Sequence, residues 1–233
     1  MEIIARIKQN RQQKQRRKAQ RQHWREINAK RYDVSLDDFF LRTKSKLQKE
    51  HRWHEPEDSI LFEKIQRYGK PFLGGFKPFE ISTPKGKFIV RLAFECHEHE
   101  SPVTIKVEST LPGRNRGEIG TVRLSFEENA ICIETVQGHM GRLRALKRFE
   151  GAVGIGMPWP NYLIKKVLAT ARRLGYTKAQ FRDPTTLYWY KHPMLWGDQT
   201  VEGLQKQISN FYAKVRQGTG FKKRRGDYWV QKL

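Results

Sequence analysis

Cysteine is nearly absent from this chain: its 233 residues include two, Cys96 and Cys132, far apart in sequence. A disulfide scaffold is thereby excluded. No basic segment leads into a long apolar run at the start, so the sequence predicts a cytoplasmic protein in a reducing compartment. Long hydrophobic runs are missing throughout. None approaches the roughly 20 apolar residues that a membrane-spanning helix needs, which excludes a membrane partner of that kind. Acidic residues are scarce, with 24 Asp and Glu against 46 Lys and Arg, a formal charge of +22. Such a balance points to a polyanionic partner. Apolar residues make up only 37%, yet 12% are aromatic, including 6 Trp and 13 Phe. That is too much large apolar material for a disordered chain, and the length suits one domain plus an extension.

The positive charge is concentrated in three segments. Residues 1–35 carry a net +8, residues 141–182 carry +9 and residues 213–233 carry +6, so the remainder of the chain is near neutral. The first segment, with Arg11, Lys14, Arg16, Arg17, Lys18, Arg21 and Arg25, has good helix formers, no Pro and no Gly. Its apolar residues are too sparse for a core-facing stripe, so it predicts a basic helix or a disordered arm. Lys and Arg at this density neutralise phosphates and release counterions, giving salt-dependent binding to RNA or DNA with little sequence choice. The same reading extends to Arg142, Arg144, Lys147 and Arg148, and to Lys222, Lys223, Arg224 and Arg225.

Periodicity supplies the elements. Ser35 followed by Leu36, Asp37 and Asp38 predicts a capped helix to about Glu50, and Ser59 to Gly69 a second. The Pro- and Gly-rich stretch Lys70–Pro84 predicts a loop and a boundary. Three units result: an arm over 1–35, short helices and a linker over 36–85, and a domain over 86–233. Alternating apolar residues then predict strands at 88–96 and 103–107 and a hairpin over 121–137 turning at Glu127–Asn129. Helical spacing follows from Tyr162 to Leu174, with Pro160 in the first turn and Gly175 as the cap. A strand at Thr177–Arg182, an aromatic loop over 183–197, a helix over about 201–217 and a bent or paired terminal strand complete the chain.

That order is α+β, a mixed, mainly antiparallel sheet flanked by helices with a basic helical extension. It resembles the GCN5-related N-acetyltransferase (GNAT) fold over about 86–233. The motifs are the strand ICIETVQG, the turn GAVGIG (151–156) before LIKKVLATARRLGYTKAQFR, and FYAKVRQGTGF before the terminal strand. A glycine-rich turn at a helix N-terminus is suited to a pyrophosphate. The resemblance implies acetyl-CoA as cofactor, held by Val136 and Gln137 of the strand and Gly151, Gly154 and Gly156 of the turn. It also implies Glu134 as the base that deprotonates an incoming amine and Tyr212 as the acid that protonates the departing thiolate. The implied activity is CoA-dependent N-acylation of an amine on or near RNA or DNA. A second reading stays open, in which QGHMGRLRALKR (137–148) is a basic phosphate-contacting loop, GAVGIG a hinge, and the domain a non-catalytic RNA- or DNA-binding module.

Other constellations carry less. ECHEHE (95–100) and HRWH (51–54) have Cys and His at usable spacings but no paired Cys-x-x-Cys, so no metal is predicted. Tyr188, Trp189, Tyr190 and Trp196, beside Lys191, have the composition of a base-stacking surface or of residues packed beneath a helix; packing is the expectation.

Overall fold

The computed structural model describes Leu41, Ser45 and residues 57–94, 101–113, 116–139, 142–154, 156–192 and 199–233. The basic arm, the predicted helix over 35–50 apart from Leu41 and Ser45, the two Cys/His runs and Trp196 lie outside these residues. The chain divides into two compact units, Met1–Trp53 and His54–Leu233. The sheet belongs to the second.

Helix α1 (Glu57–Lys64) runs through a π-helical turn, Ile65–Gly69, into α2 (Lys70–Gly75). Pro71 does not stop it, because proline at the first turn of a helix gives up no internal hydrogen bond. The strands are β1 (Phe79–Thr83), β2 (Gly86–Phe94), β3 (Val103–Ser109), β4 (Gly117–Glu127) and β5 (Ala130–Gly138). Two helices follow, α3 (Leu143–Val153) and α4 (Trp159–Arg173), then β6 (Lys178–Arg182). A single helical turn α5 (Tyr188–Lys191), the long α6 (Val201–Thr219) and the hairpin β7 (Lys223–Arg225) and β8 (Tyr228–Lys232) close the chain. The eight strands form one sheet in the order β1-β2-β3-β4-β5-β6-β8-β7. All neighbours are antiparallel except β5 and β6, which the α3–α4 crossover makes parallel.

Three expectations need correcting. Lys70–Pro84 holds a helix and an edge strand rather than a loop, because Phe79, Ile81 and Thr83 alternate against β2. The boundary expected at 86 therefore falls inside the sheet. Half of the stretch read as a basic loop, residues 143–148, belongs to α3, whose Ala145, Leu146 and Phe149 are buried at helical spacing. Gly151 lies within that helix, so the turn begins at Gly154, which caps it with φ of 76°.

One sheet face is apolar and lies under the helices. Phe72, Phe88, Phe126, Phe149, Phe181 and Phe221 are fully buried, each contributing about 2 to 3 kcal/mol of transfer free energy. Their rings pair across elements: Phe88 with Phe149 at 5.3 Å, Phe72 with Phe126 at 5.8 Å, and Phe181 with Phe221 at 5.5 Å. Cross-strand partners Gly120 and Gly138 leave a slot in β4 and β5 for the indole of Trp159, which would lie 2.8 Å and 3.4 Å from a Cβ at either position. That slot seats the start of α4 on the sheet. The opposite face is polar, carrying Arg91, Lys106, Thr121, Arg123, Ser125, Gln180 and Tyr228 by strand alternation. No helix among the described residues is long and apolar enough to cross a membrane.

Candidate functional site

The parallel strands β5 and β6 pair only from Ala130 with Lys178 to Ile133 with Phe181. Beyond that point they are no longer paired, and β5 continues through Glu134 to Gly138. At this fork the β4–β5 register also shifts: Leu124 opposes Ile133 and Arg123 opposes Thr135, leaving Glu134 as the extra residue of a bulge.

Glu134 is buried, with 7% of its side chain exposed, and four strands meet at its carboxylate. Arg182 of β6 reaches Oε2 at 3.0 Å, the Tyr228 hydroxyl of β8 donates to both oxygens at 3.2 and 3.3 Å, and the Ser125 hydroxyl of β4 donates to Oε1. Burial alone would lower the Arg182 pKa; the charge of Glu134, the neighbouring Tyr228, the hydrogen bond to Glu134 and the charge of Asp227 together outweigh this and raise it. Tyr228 is pushed well above the usual tyrosine range by burial and then by Glu134. Neighbouring Cys132 is likewise raised, first by burial and then by Glu134, so its thiol stays protonated and unreactive. This arrangement clamps β4, β5, β6 and β8 together, and it leaves the carboxylate engaged with donors on both oxygens.

Tyr212 of α6 is brought to the same fork. Its hydroxyl accepts the Val136 N–H at 3.0 Å, while its ring packs on Phe181 at 5.5 Å and Trp189 at 6.3 Å. The strand-edge donor that an extended ligand would use is thus taken by the chain itself. Gln137 is exposed at the strand end.

The entrance to α4 tests whether a pyrophosphate would fit. Gly154 and Gly156 have positive φ, 76° and 58°, which explains glycine at both. The N–H groups of the helix end are largely spent. Pro158 and Pro160 have none, and the Trp159 N–H donates to the Glu150 carboxylate at 2.9 Å. Only the Asn161 N–H of the usual four orphan donors is left, beside a carboxylate where a phosphate would sit. The N-terminus of α4 by itself therefore offers a pyrophosphate a single backbone donor.

Of the basic residues singled out above, Arg144, Lys147 and Arg148 are exposed on α3, and Lys222, Lys223 and Arg225 are exposed at the terminal hairpin. Arg142 is committed to the fold through the Glu118 carbonyl, and Arg224 pairs with Asp183 at 3.3 Å. Trp189 and Tyr190 pack on α6, the Tyr190 hydroxyl meeting Ser209 at 3.0 Å. Among the described residues no group of three or more Cys, His, Asp or Glu converges on a metal position. The sequence reading missed Glu150, Arg182 and Tyr228. Their partners are 9, 48 and 94 residues away, so no local pattern carries them. Comparison with family models, curated proteins and solved structures finds no match to this chain.

Proposed function

We propose that the chain is a cytoplasmic nucleic-acid-associated protein whose sheet domain is GNAT-like and works as an RNA- or DNA-binding module without using acetyl-CoA. The observation that carries this reading is the charge: a net +22 concentrated in three segments, two of which present exposed cations on α3 and the terminal hairpin. The described element order supports the GNAT resemblance: an antiparallel meander, a helical crossover to a parallel strand, a second long helix and a closing hairpin. The filled fork and the Glu150-capped helix support the non-catalytic version. A second reading, a CoA-dependent N-acyltransferase, is favoured by one feature: Glu134 lies on β5 two residues from Val136, whose N–H meets the Tyr212 hydroxyl.

Fluorescence anisotropy with labelled RNA and DNA across a salt series, beside calorimetric titration with acetyl-CoA, separates the two. Expected are a linear fall of log affinity with log salt concentration and no heat from acetyl-CoA beyond that of a mononucleotide control. Salt-independent or absent polynucleotide binding overturns the nucleic-acid reading. Saturable micromolar binding of acetyl-CoA, lost when Gly154 and Gly156 become Val, puts the acyltransferase in its place.

A further inference from the structure

The strand register sets cations side by side on the polar face of β6, β8 and β7. Lys178 pairs directly with Lys232, Lys223 with Val230 and Arg225 with Tyr228, so Lys178, Lys232, Lys223 and Arg225 project from one face together with Gln180, Val230 and Tyr228. All four cations are exposed, and none forms an ion pair among the described residues. The nearby carboxylates are engaged elsewhere or at the rim: Glu134 holds Arg182, Asp183 holds Arg224, and Asp227 sits in the β7–β8 turn.

Like charges directly opposite one another destabilise a sheet, so folding gives no reason for this placement. Cations on an exposed edge do discourage edge-to-edge pairing, and that accounts for Lys223 and Arg225 on β7. It does not account for Lys178 and Lys232, which lie on interior strands. The patch is backed rigidly from behind. Phe181 packs on Tyr212 and Phe221, and Arg216 of α6 lies 3.7 Å over the Trp229 ring. In its floor the Tyr228 ring is held by its hydroxyl on Glu134.

We propose that this face is the platform for a single polynucleotide strand, with Lys178, Lys223, Arg225 and Lys232 on its phosphates and the Tyr228 ring beneath a base or sugar. The proposal rests on the nucleic-acid reading above and assigns it a surface. Three strands about 4.8 Å apart and four residues of rise make a flat patch roughly 10 by 13 Å. A flat basic face with a fixed aromatic ring suits an unpaired strand, whereas duplex grooves are entered by a helix or a narrow ribbon.

The test uses the full chain with fluorescent oligouridylate, oligothymidylate and a duplex, each over a salt series. The platform variant carries Lys178→Gln, Lys223→Gln, Arg225→Gln and Lys232→Gln. A charge-matched control carries Lys165→Gln, Arg172→Gln, Lys206→Gln and Lys214→Gln, exposed positions on α4 and α6. Expected is a salt slope on the single strands shallower by about 3, at roughly 0.7 for each phosphate no longer neutralised, with a much smaller change in the control. The thermal midpoint of the platform variant should equal or exceed that of the wild type, which excludes misfolding as the cause. A wild-type chain that binds no oligonucleotide overturns the nucleic-acid reading itself. Wild-type binding with an unchanged platform variant, or an equal loss in the control, overturns the platform and leaves that reading on the other basic segments. Tighter binding of the duplex through the same four residues overturns the single-strand assignment.

Discussion

The two ends of the sheet treat charge in opposite ways. In the meander, two cations of the polar face have a glutamate on a diagonal neighbour: Arg91 donates to Glu108 through Nε at 3.1 Å, and Lys106 reaches Glu118 at 2.6 Å. Lys87 of β2 does the same with Glu80 of the edge strand β1 at 2.7 Å. Across the fork, Lys178 faces Lys232, and Lys223 and Arg225 stand without a carboxylate among the described residues. Both ends share one sheet and one aromatic-backed core, so the difference does not arise from the fold. Paired charges are what stability selects; unpaired ones, held side by side at some cost, mark a surface meant for something outside the chain.

Glu134 and Arg182 stand at the border between the two ends, and breaking that pair should have the largest effect. Arg182→Met leaves a buried carboxylate with only hydroxyl donors. A loss of about 3 kcal/mol follows, a fall in thermal midpoint of roughly 6 to 12 °C for a domain of this size. Adding Glu134→Leu should recover most of it, because the uncompensated charge goes with it. Calorimetric melting of the three proteins checks this; a double variant no better than Arg182→Met would mean that the clamp acts through packing.

Asp183 offers a smaller version of the same test, with a pH signature. Burial raises its pKa, but hydrogen bonds from the hydroxyl and N–H of Thr185 and the charge of Arg224 prevail and hold the carboxyl below its ordinary value. Its contribution is therefore present above the unfolded carboxylate pKa of about 4 and is lost as pH falls through the depressed folded value. Asp183→Asn should cost about 1 kcal/mol at neutral pH, as for a lost cap. Urea titrations should show that gap constant down to about pH 5 and shrinking below pH 4. A gap that widens in acid would mean that the fold raises the Asp183 pKa instead of lowering it.

The contrast between the two ends was only partly legible in the sequence. Alternation at Val103, Ile105 and Val107 and at Val122, Leu124 and Phe126 announces buried strands, and Gly175 and Pro160 bracket α4 at its ends. Helix α2 was hidden because Pro71, Gly74 and Gly75 read as punctuation, whereas a proline in the first turn suits a helix, and β1 was hidden because Pro78 and Pro84 flank it. Helix α3 was hidden because Arg144, Lys147 and Arg148 mask the spacing of Ala145, Leu146 and Phe149. Basic composition was plain in the terminal segment, but Lys178 and Lys232 are 54 positions apart and become neighbours only through the β6–β8 register. The same holds for Glu134, whose role as a four-strand clamp depends on residues that no spacing rule connects.

The smallest expected effect sharpens the comparison most, because its two readouts should move in opposite directions. Lys178→Glu makes the unpaired end resemble the paired one, setting a carboxylate opposite Lys232 in place of a like charge. The sheet should gain about 0.5 kcal/mol from an attractive cross-strand pair, a rise of about 1 to 2 °C in thermal midpoint. Affinity for single-stranded RNA or DNA should fall at the same time, since one phosphate contact becomes a repulsion. Function-bearing surfaces are where a stabilising substitution carries such a penalty. Loss of stability with unchanged binding would show that Lys178 serves the fold, and the asymmetry between the two ends would then need a structural cause.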